Sequence, residues 1–314
     1  MSKISKPRFS IIIPVYNVEK YLEKCLNSVA GQYYQNYEVI IICDKCDDKS
    51  EDIVDCFAKK HSNFHKIFAE NTGLSLARNI GVKHATGDYI LFLDSDDYYE
   101  LNLLEVLNNS LDDDPEVVRF QIAEDCKGTI TRYLEKGFKL TDGLSAFNTI
   151  YNYHFIENAW SYCYKRTFWN DNKFSFKEKC IAEDYGLIPL ILATSTKVKS
   201  LNVIGYNYVQ RNNSLMNNNN YQQKLKKMDD MLFQAREIKK NLSNKQDSEL
   251  VITFLNKSLI YYATTLSKKD YKKYKKILQK ENCFKLKGLS YKQKIKNIII
   301  SCIPYIYYNK VVIK

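Results

Sequence analysis

The sequence predicts an α/β protein: a mostly parallel sheet flanked by helices, with a helical C-terminal extension. Over the first 120 residues, short β-branched runs alternate with segments of helical periodicity, which is the pattern of a parallel sheet covered on both faces. Acidic residues gather where the predicted strands end, and beyond residue 220 the pattern is helical and rich in lysine. At 314 residues, the chain has room for one large domain and an appendage.

The first half of the chain is predicted to alternate strand and helix. The strands are nearly unbroken apolar runs, as expected for strands buried on both faces, at 10–15, 38–43, 66–69, 89–93 and 116–122. The helical periods lie between them, at 21–29, 53–58, 74–84 and 101–111. Sheets of this type bind ligands beyond the carboxyl ends of their strands. The candidate site therefore lies in the loops at 16–17, 44–48, 70–73 and 94–97.

The second half is predicted to change from mixed structure to helix. Residues 123–220 are less regular and rich in aromatic residues, and they end in a strand-like run and a polar linker at 212–220. Two amphipathic helices are predicted beyond it, at 225–242 and 251–266. Lysine-rich segments then lead into an apolar end at 298–308.

The net charge of +11 belongs to the C-terminal region. Residues 1–220 hold 25 basic and 29 acidic side chains, whereas residues 221–314 hold 22 and 7. A basic patch of this kind fits an anionic membrane or nucleic acid, and a solvated helix surface is the simpler alternative. No apolar run approaches the roughly 20 residues of a membrane-spanning helix, and no secretory signal is recognised. Nine cysteines, an odd number, are expected as free thiols in the cytosol.

Three carboxylates follow the strand at 89–93. Asp94, Ser95 and Asp96 form an Asp-x-Asp motif, and Asp97 comes next. Such a cluster fits Mg²⁺ or Mn²⁺, which takes one or two carboxylates together with substrate phosphates. The alternative is a turn that caps the next helix. Earlier in the chain, Asp44 ends the second strand, where its carboxylate fits a nucleobase or a sugar hydroxyl.

Two further groups extend the candidate site. Arg78 lies on the helix after the loop of Asn71, and its planar fork suits either a phosphate or a salt bridge to a nearby acid. Glu183 and Asp184 precede an apolar helix. The helix dipole accounts for two acids there, while the functional interpretation is a general base that the dipole keeps ionised. Trp160 is either a sugar-stacking platform or part of the core.

Taken together, these motifs resemble the inverting glycosyltransferases of family 2, which have the GT-A fold. The matching segments cover residues 8–214 and are Ser10-Ile-Ile-Ile-Pro-Val-Tyr-Asn17, Glu38-Val-Ile-Ile-Ile-Cys-Asp44, Asn71-Thr-Gly-Leu-Ser-Leu-Ala-Arg78-Asn79, Gly87-Asp-Tyr-Ile-Leu-Phe-Leu-Asp94-Ser-Asp-Asp97, Ala159-Trp160, Tyr164-Lys-Arg166, Glu183-Asp184 and Tyr206-Asn-Tyr208 through Arg211-Asn-Asn-Ser214. One departure is that Cys43 stands where the family usually has an acid. Lys45 replaces a small glycine.

The resemblance implies a role for each matching residue. The nucleotide-sugar would be held by Pro14, Tyr16, Asp44, Asn71, Arg78, Asp94, Ser95, Asp96 and Arg211. Within that set, Arg78 and Arg211 would contact the diphosphate, and Asp94 and Asp96 would bind the metal. Asp184 would be the catalytic base with Glu183 beside it.

The resemblance also implies a domain division and an activity. Residues 1–220 would be a GT-A catalytic domain, with a nucleotide-sugar half at 1–122 and an acceptor half at 123–220, and residues 221–314 a basic helical region. The activity would be metal-dependent, inverting transfer of a hexosyl or N-acetylhexosaminyl group, with UDP favoured, to a glycan or lipid-linked acceptor in surface polysaccharide synthesis.

The resemblance leaves the partners of the C-terminal region and two rival functions open. Residues 268–314 would contact an anionic membrane, placing a cytoplasmic protein on the inner face of the membrane. Packing on the catalytic domain and a homodimer contact are the alternatives, and no nucleic acid is expected. A nucleotidyltransferase and a non-catalytic sugar- or membrane-binding module are the rival functions, and the absence of GxGxxG after the first strand disfavours a Rossmann oxidoreductase.

Overall fold

The computed structural model describes residues 6–151, 157–211, 220–242 and 248–284. Its strands are β1 (Phe9–Val15), β2 (Tyr37–Cys43), β3 (Phe64–Phe68), β4 (Tyr89–Phe92), β5 (Tyr98–Tyr99), β6 (Val117–Cys126), β7 (Thr129–Tyr133), β8 (Phe138–Thr141), β9 (Tyr162–Lys165) and β10 (Val198–Val209). Its helices are α1 (Glu19–Ala30), α2 (Ser50–Lys60), α3 (Gly73–His84), α4 (Leu103–Asn108), α5 (Gly143–Ile150), α6 (Arg166–Asp171), α7 (Leu187–Thr194), α8 (Tyr221–Leu242), α9 (Glu249–Thr264) and α10 (Lys268–Lys280).

One mixed sheet organises the described residues, in the order β3-β2-β1-β4-β9-β6-β10-β5. The first four strands are parallel. Strand β9 joins β4 to β6 in antiparallel fashion, whereas β6 and β10 are again parallel. Strands β7 and β8 pair on β6 and β10. The predicted α/β class, with a parallel sheet flanked by helices, is confirmed.

The parallel half of the sheet forms a buried hydrophobic core, because its central strands β1 and β2 are almost entirely apolar. Every residue of β1 and β2 is buried. Helix α3 lies directly on β1, since a Cβ added at Gly81 would come within 2.3 Å of the Ile12 side chain. This close contact determines the depth at which α3 presents Arg78, one turn earlier, to the sheet edge.

The strand pairing of β10 brings distant segments of the chain together. The two residues of β5 follow the Asp94–Asp97 loop and pair with Tyr206 and Asn207. The end of β10 therefore lies against that loop, and Arg211 follows two residues beyond β10.

Helices α8 and α9 pack on α7, and α10 packs on α9. Buried residues of all three C-terminal helices belong to the same hydrophobic cluster as the sheet. The division at residue 220 stays a prediction, because residues 212–219 lie outside the described part of the chain. Within the described part, none of the helices combines the length and apolarity needed to cross a bilayer. The apolar end at 298–308 lies outside the described residues.

Candidate active site at the carboxyl ends of the parallel strands

The loop after β4 is fastened to β10 by Asp97. The buried Asp97 carboxylate accepts hydrogen bonds from the Tyr206 hydroxyl at 2.5 Å and from the Val209 N–H at 2.7 Å. Burial, with the charges of Asp96 and Asp94, raises the pKa of Asp97 well above its ordinary value. Asp97 therefore holds the loop in place, while Asp94 and Asp96 stay partly exposed at its tip.

Arg78 bridges two acids that lie 89 residues apart in sequence. Its Nη2 donates to Asp94 Oδ1 at 2.6 Å and its Nη1 to Glu183 Oε1 at 2.5 Å. The guanidinium is only 1% exposed and lies near the rings of Phe92 and Phe176. Burial opposes its charge, but the two carboxylates outweigh burial and raise the pKa of Arg78. The salt-bridge alternative is thus observed, and a contact with a diphosphate stays a prediction.

Glu183 and Asp184 lie in the loop that leads into α7. The Asp184 carbonyl accepts from the Ile188 N–H at 3.1 Å, which places the pair one turn ahead of the helix. Burial, and then the charge of Glu183, raise the pKa of Asp184 well above its ordinary value, although Arg78 opposes the shift. Ionisation of Asp184 by the helix dipole stays a prediction, and burial and the charge of Glu183 act against it. A carboxylate with a raised pKa is the stronger proton acceptor near neutral pH.

Arg211 reaches the Asp-x-Asp motif from the end of β10. Its guanidinium forms an ion pair with Asp96 and lies 5.2 Å from the ring of Tyr21 on α1. Burial and the charge of Asp94 raise the pKa of Asp96 to about 6, and Arg211 opposes that shift. Each carboxylate of the motif thus has its own arginine.

Asp44 binds the loop that begins α3. Its Oδ1 accepts the backbone N–H of Lys45 and Asn71 at 2.8 and 2.7 Å, and its Oδ2 accepts the N–H and hydroxyl of Thr72 at 2.9 and 3.0 Å. Burial would raise the pKa of Asp44, but these hydrogen bonds, first that of the Thr72 hydroxyl, hold it below the ordinary value. Asp44 therefore orders this loop, and its contact with a nucleobase stays a prediction.

The remaining predicted residues lie around these contacts. Pro14 is buried on β1 and lies opposite Ile42 of β2. The pairing of β1 with β4 ends two residues earlier, at Ile12. Tyr16 follows at the mouth of the site and is 60% exposed. Ser95 is buried between the two acids of the motif.

Trp160 belongs to an aromatic stack beneath the loop. It is 6% exposed and lies parallel to the ring of Tyr206 at 4.2 Å and to that of Tyr208 at 5.8 Å. This burial favours the core interpretation over a sugar platform. Tyr206 belongs to a segment that matches the family, but sequence analysis assigned it no role in the site. Its hydroxyl donates to Asp97 and accepts from the Asp94 N–H at 3.4 Å.

A groove of about 280 Å³ lies beside Glu183, between residues 172–177 and α8. Its wall combines amide groups with charged side chains and with Phe233, whose ring is 41% exposed and lies 4.8 Å from Lys177 Nζ. Planar amides beside an exposed aromatic ring suit a polyhydroxylated ligand.

The donor set at the site fits a metal shared with a substrate. Within residues 6–151, 157–211, 220–242 and 248–284, no three His, Cys, Asp or Glu side chains converge on a common centre. Asp94 and Asp96 offer two carboxylates, which suits Mg²⁺ or Mn²⁺ completed by phosphate oxygens and water. A metal site in which protein side chains supply every ligand does not fit this arrangement.

Residues 10–176 match glycosyl transferase family 2. The chain belongs to this family. The match runs from β1 past the Asp-x-Asp motif to the loop after α6, and so includes Asp44, Arg78, Asp94 and Asp96.

Curated relatives of this family 2 protein include bacterial glycosyltransferases. It is 32% identical over 222 residues to glycosyltransferase GlyA of Streptococcus pneumoniae, and 31% identical over 216 residues to an uncharacterised glycosyltransferase, EpsJ, of Bacillus subtilis. The alignments cover 66% and 67% of this chain but 31% and 63% of those proteins. It is also 32% identical over 208 residues to the minor teichoic acid biosynthesis protein GgaB of B. subtilis, covering 64% of this chain and 23% of GgaB.

Solved structures show the same fold. The S. aureus TarS 1–349 complex with UDP superposes with a TM-score of 0.67 at 21% identity, covering 85% of this chain and 78% of that one. The complex with UDP-GlcNAc gives 0.67 at 22% identity, covering 94% and 81%. The predicted GT-A fold is confirmed.

Proposed function

We propose that this protein transfers a hexosyl or N-acetylhexosaminyl group from a UDP-sugar to a hydroxyl group of a glycan or lipid-linked acceptor. One observation carries the proposal: Arg78 joins Asp94 of the Asp-x-Asp motif to Glu183 of the acidic pair. The carboxylate proposed to bind the donor metal, and the acidic pair that contains the proposed base, are thereby held by a single buried cation. The UDP and UDP-GlcNAc complexes of the structural neighbour TarS support the choice of donor.

The proposed reaction is a single displacement that inverts the anomeric centre. Asp184 accepts the proton of the acceptor hydroxyl while the hydroxyl oxygen bonds to the anomeric carbon. The bond between that carbon and the nucleoside diphosphate breaks in the same step. The raised pKa of Asp184 suits this proton transfer. Arg211, which lies at the Asp-x-Asp motif, stabilises the departing diphosphate through its guanidinium. No covalent carboxylate nucleophile is needed, in contrast to a retaining glycosidase.

Asp94 and Asp96 would hold Mn²⁺ or Mg²⁺ when the donor binds. Such an ion supplies Lewis-acid neutralisation of the diphosphate. The chain's own contribution is to keep both carboxylates at one loop tip, through the Asp97 bonds to Tyr206 and Val209.

The groove beside Glu183 is the proposed acceptor path. It is lined by Glu183 of the acidic pair and by the exposed Phe233 ring on α8. A sugar lying along this wall would present a hydroxyl to the loop that carries Glu183 and Asp184. The match to GgaB supports an acceptor in cell-surface polysaccharide synthesis.

Thermal unfolding with nucleotides tests the donor. We expect UDP with Mn²⁺ to raise the unfolding temperature more than UDP with EDTA, and more than GDP, CDP or CMP with Mn²⁺. A ligand that binds only the folded state stabilises by RT ln(1 + [L]/Kd), which is about 2.7 kcal/mol at a ligand concentration of 100 Kd. Equal shifts with and without Mn²⁺ would remove the metal from the proposal, and no shift with any nucleotide would favour the binding-module alternative. Release of pyrophosphate from a nucleotide would indicate a nucleotidyltransferase instead.

We also propose that α10 contacts an anionic membrane on the cytoplasmic side. Seven of its 13 residues are lysine, while Tyr274 and Leu278 are buried against the protein. The apolar face of α10 is therefore packed against the protein, so its attraction to a membrane would be electrostatic. Because α10 packs on α9, the alternative of a tail folded onto the catalytic domain at residues 1–220 stays a prediction.

Sedimentation of the full chain with anionic vesicles measures this attraction. Replacing Lys269, Lys272 and Lys276 with Gln should weaken binding by about 10²-fold at low salt, since each lysine near such a surface contributes about 1 kcal/mol. The control replaces Lys59, Lys60 and Lys83, which are exposed on α2 and α3, and should bind like wild type. Equal loss in both variants would show a nonspecific charge effect and contradict the proposal.

A further inference from the structure

The loop that carries the acidic pair adopts a backbone that needs outside support. We call residues 179–186 the base loop. Lys179 and Ala182 have φ of +57° and +60°. A residue with a side chain is disfavoured in this left-handed region, because its Cβ approaches the following carbonyl oxygen too closely. Such a conformation persists only where the surroundings hold it. Ala182 directly precedes Glu183 and Asp184, so whatever holds Ala182 also sets the direction in which the two carboxylates leave the chain.

Helix α8 binds the base loop on both sides of Ala182. On one side, the Ile181 N–H donates to Asp230 Oδ2 at 2.7 Å. On the other, Gln234 Nε2 donates to the Ala182 carbonyl at 2.8 Å, and Gln234 is only 6% exposed. Asp230 and Gln234 are one helical turn apart and so face the loop together. The Cys180–Ile181 peptide and the peptide that follows Ala182 are thus each bonded to α8.

Packing and further hydrogen bonds reinforce this contact. Lys226 Nζ donates to the Lys179 carbonyl and to Asp230 Oδ2, both at 2.6 Å. At the other end of the loop, the buried Tyr185 hydroxyl donates to the Leu255 carbonyl of α9 at 2.6 Å. A Cβ on Gly186 would lie 3.0 Å from Ile238 Cγ1, so the backbone there touches α8 directly.

We infer that α8 is a positioning element of the active site, in which Asp230 and Gln234 hold the peptide groups around Ala182 and thereby orient Glu183 and Asp184. The inference rests on the proposed function of that acidic pair. Arg78 holds the Glu183 carboxylate from the side of the sheet, and α8 holds the backbone from the opposite side. Turnover therefore depends on Asp230 and Gln234 of the helical region, which act through the base loop, and Gln234 also lines the groove beside Glu183.

Variants of the full chain test this positioning role. Gln234→Met removes one hydrogen bond to the base loop, and Asp230→Leu removes the hydrogen bond from the Ile181 N–H together with the ion pair to Lys226, each at similar side-chain size. We expect kcat to fall by about 10²-fold in each, the loss typical of catalytic groups displaced by about 1 Å, with the donor KM unchanged. Asp230→Asn keeps an oxygen acceptor for the Ile181 N–H and should retain most of the activity.

Two variants on the same helix serve as controls. Asp229→Leu removes the neighbouring carboxylate, which accepts from the Tyr274 hydroxyl at 2.8 Å and does not bond to the base loop. Gln223→Met makes the same replacement as Gln234→Met at an exposed position. Both should keep the wild-type kcat, even where Asp229→Leu lowers the unfolding temperature.

Amide hydrogen exchange of residues 181–185 gives a readout that does not need activity. It should accelerate in Asp230→Leu and Gln234→Met but not in the two controls. Wild-type kcat and wild-type exchange in both test variants would overturn the inference, as would an equal loss of kcat in Asp229→Leu. If the wild-type chain transfers no sugar to any acceptor, the proposed function fails, and the exchange rates alone then decide whether α8 holds the loop.

Discussion

Replacing Asp184 with Asn is expected to abolish sugar transfer and to leave donor binding intact. The amide has nearly the shape of the carboxylate but cannot accept a proton from the acceptor hydroxyl. Loss of a general base costs typically 10²- to 10⁴-fold in rate, so we expect kcat to fall by at least about 10²-fold. The measurement is initial-rate kinetics beside UDP-induced thermal stabilisation, which should match wild type.

Glu183→Gln is the informative companion to Asp184→Asn. It leaves one oxygen to accept from Arg78 and should lose less activity than Asp184→Asn if Asp184 is the base. The reverse order would assign the proton transfer to Glu183. In the wild-type protein, kcat should fall as the pH is lowered through the pKa of the base. Because burial and Glu183 raise the pKa of Asp184, this loss should begin at higher pH than for an ordinary aspartate.

Replacing Arg78 with Met is expected to destabilise the protein more than any other single change at the site. Two carboxylates that now share a buried cation, Asp94 and Glu183, would lose their partner. Removing one member of a buried ion pair costs about 3–5 kcal/mol, because the other charge is left uncompensated. Denaturant unfolding should show this loss. Activity should fall as well, since both the Asp94–Asp97 loop and the base loop lose their contact with Arg78.

Two comparisons sharpen the Arg78 experiment. Arg236→Met removes an exposed ion pair with Glu281, and surface pairs contribute about 0–1 kcal/mol. Arg78→Lys keeps the positive charge but lacks the fork that reaches two acids at once, so it should fall between Arg78→Met and wild type. If Arg78→Met is no less stable than Arg236→Met, the bridge does not stabilise the fold.

The elements of the parallel half follow closely from the local pattern of residues. The observed strands β1, β2 and β4 begin and end within a residue of the apolar runs that predict them. A strand buried on both faces must be apolar at every position, and such a run is visible in the sequence alone. Helices α8 and α9 were also predicted from a local pattern, since each shows one apolar stripe at helical spacing.

Strands β7 and β8 were missed because their residues carry no such signal. All but the last residue of β7 are exposed, so its sequence shows no alternation between core and solvent. Its structure comes from pairing with β6. The predicted helix at 101–111 is shorter in the structure, where α4 ends at Asn108.

The sequence alone was enough to predict the family, the fold class and the acidic and basic residues of the candidate site, because these depend on residue type and order. Only the tertiary structure decided which of them touch. Arg78 and Glu183 lie 105 positions apart, and no local pattern shows that they meet. The raised pKa of Asp184 depends on burial and on a neighbouring charge, and the support of its loop by α8 depends on packing between two separate regions. Burial, Coulomb interaction and hydrogen bonding depend on how far apart groups lie in space. Those distances are set by the fold and not by separation along the chain.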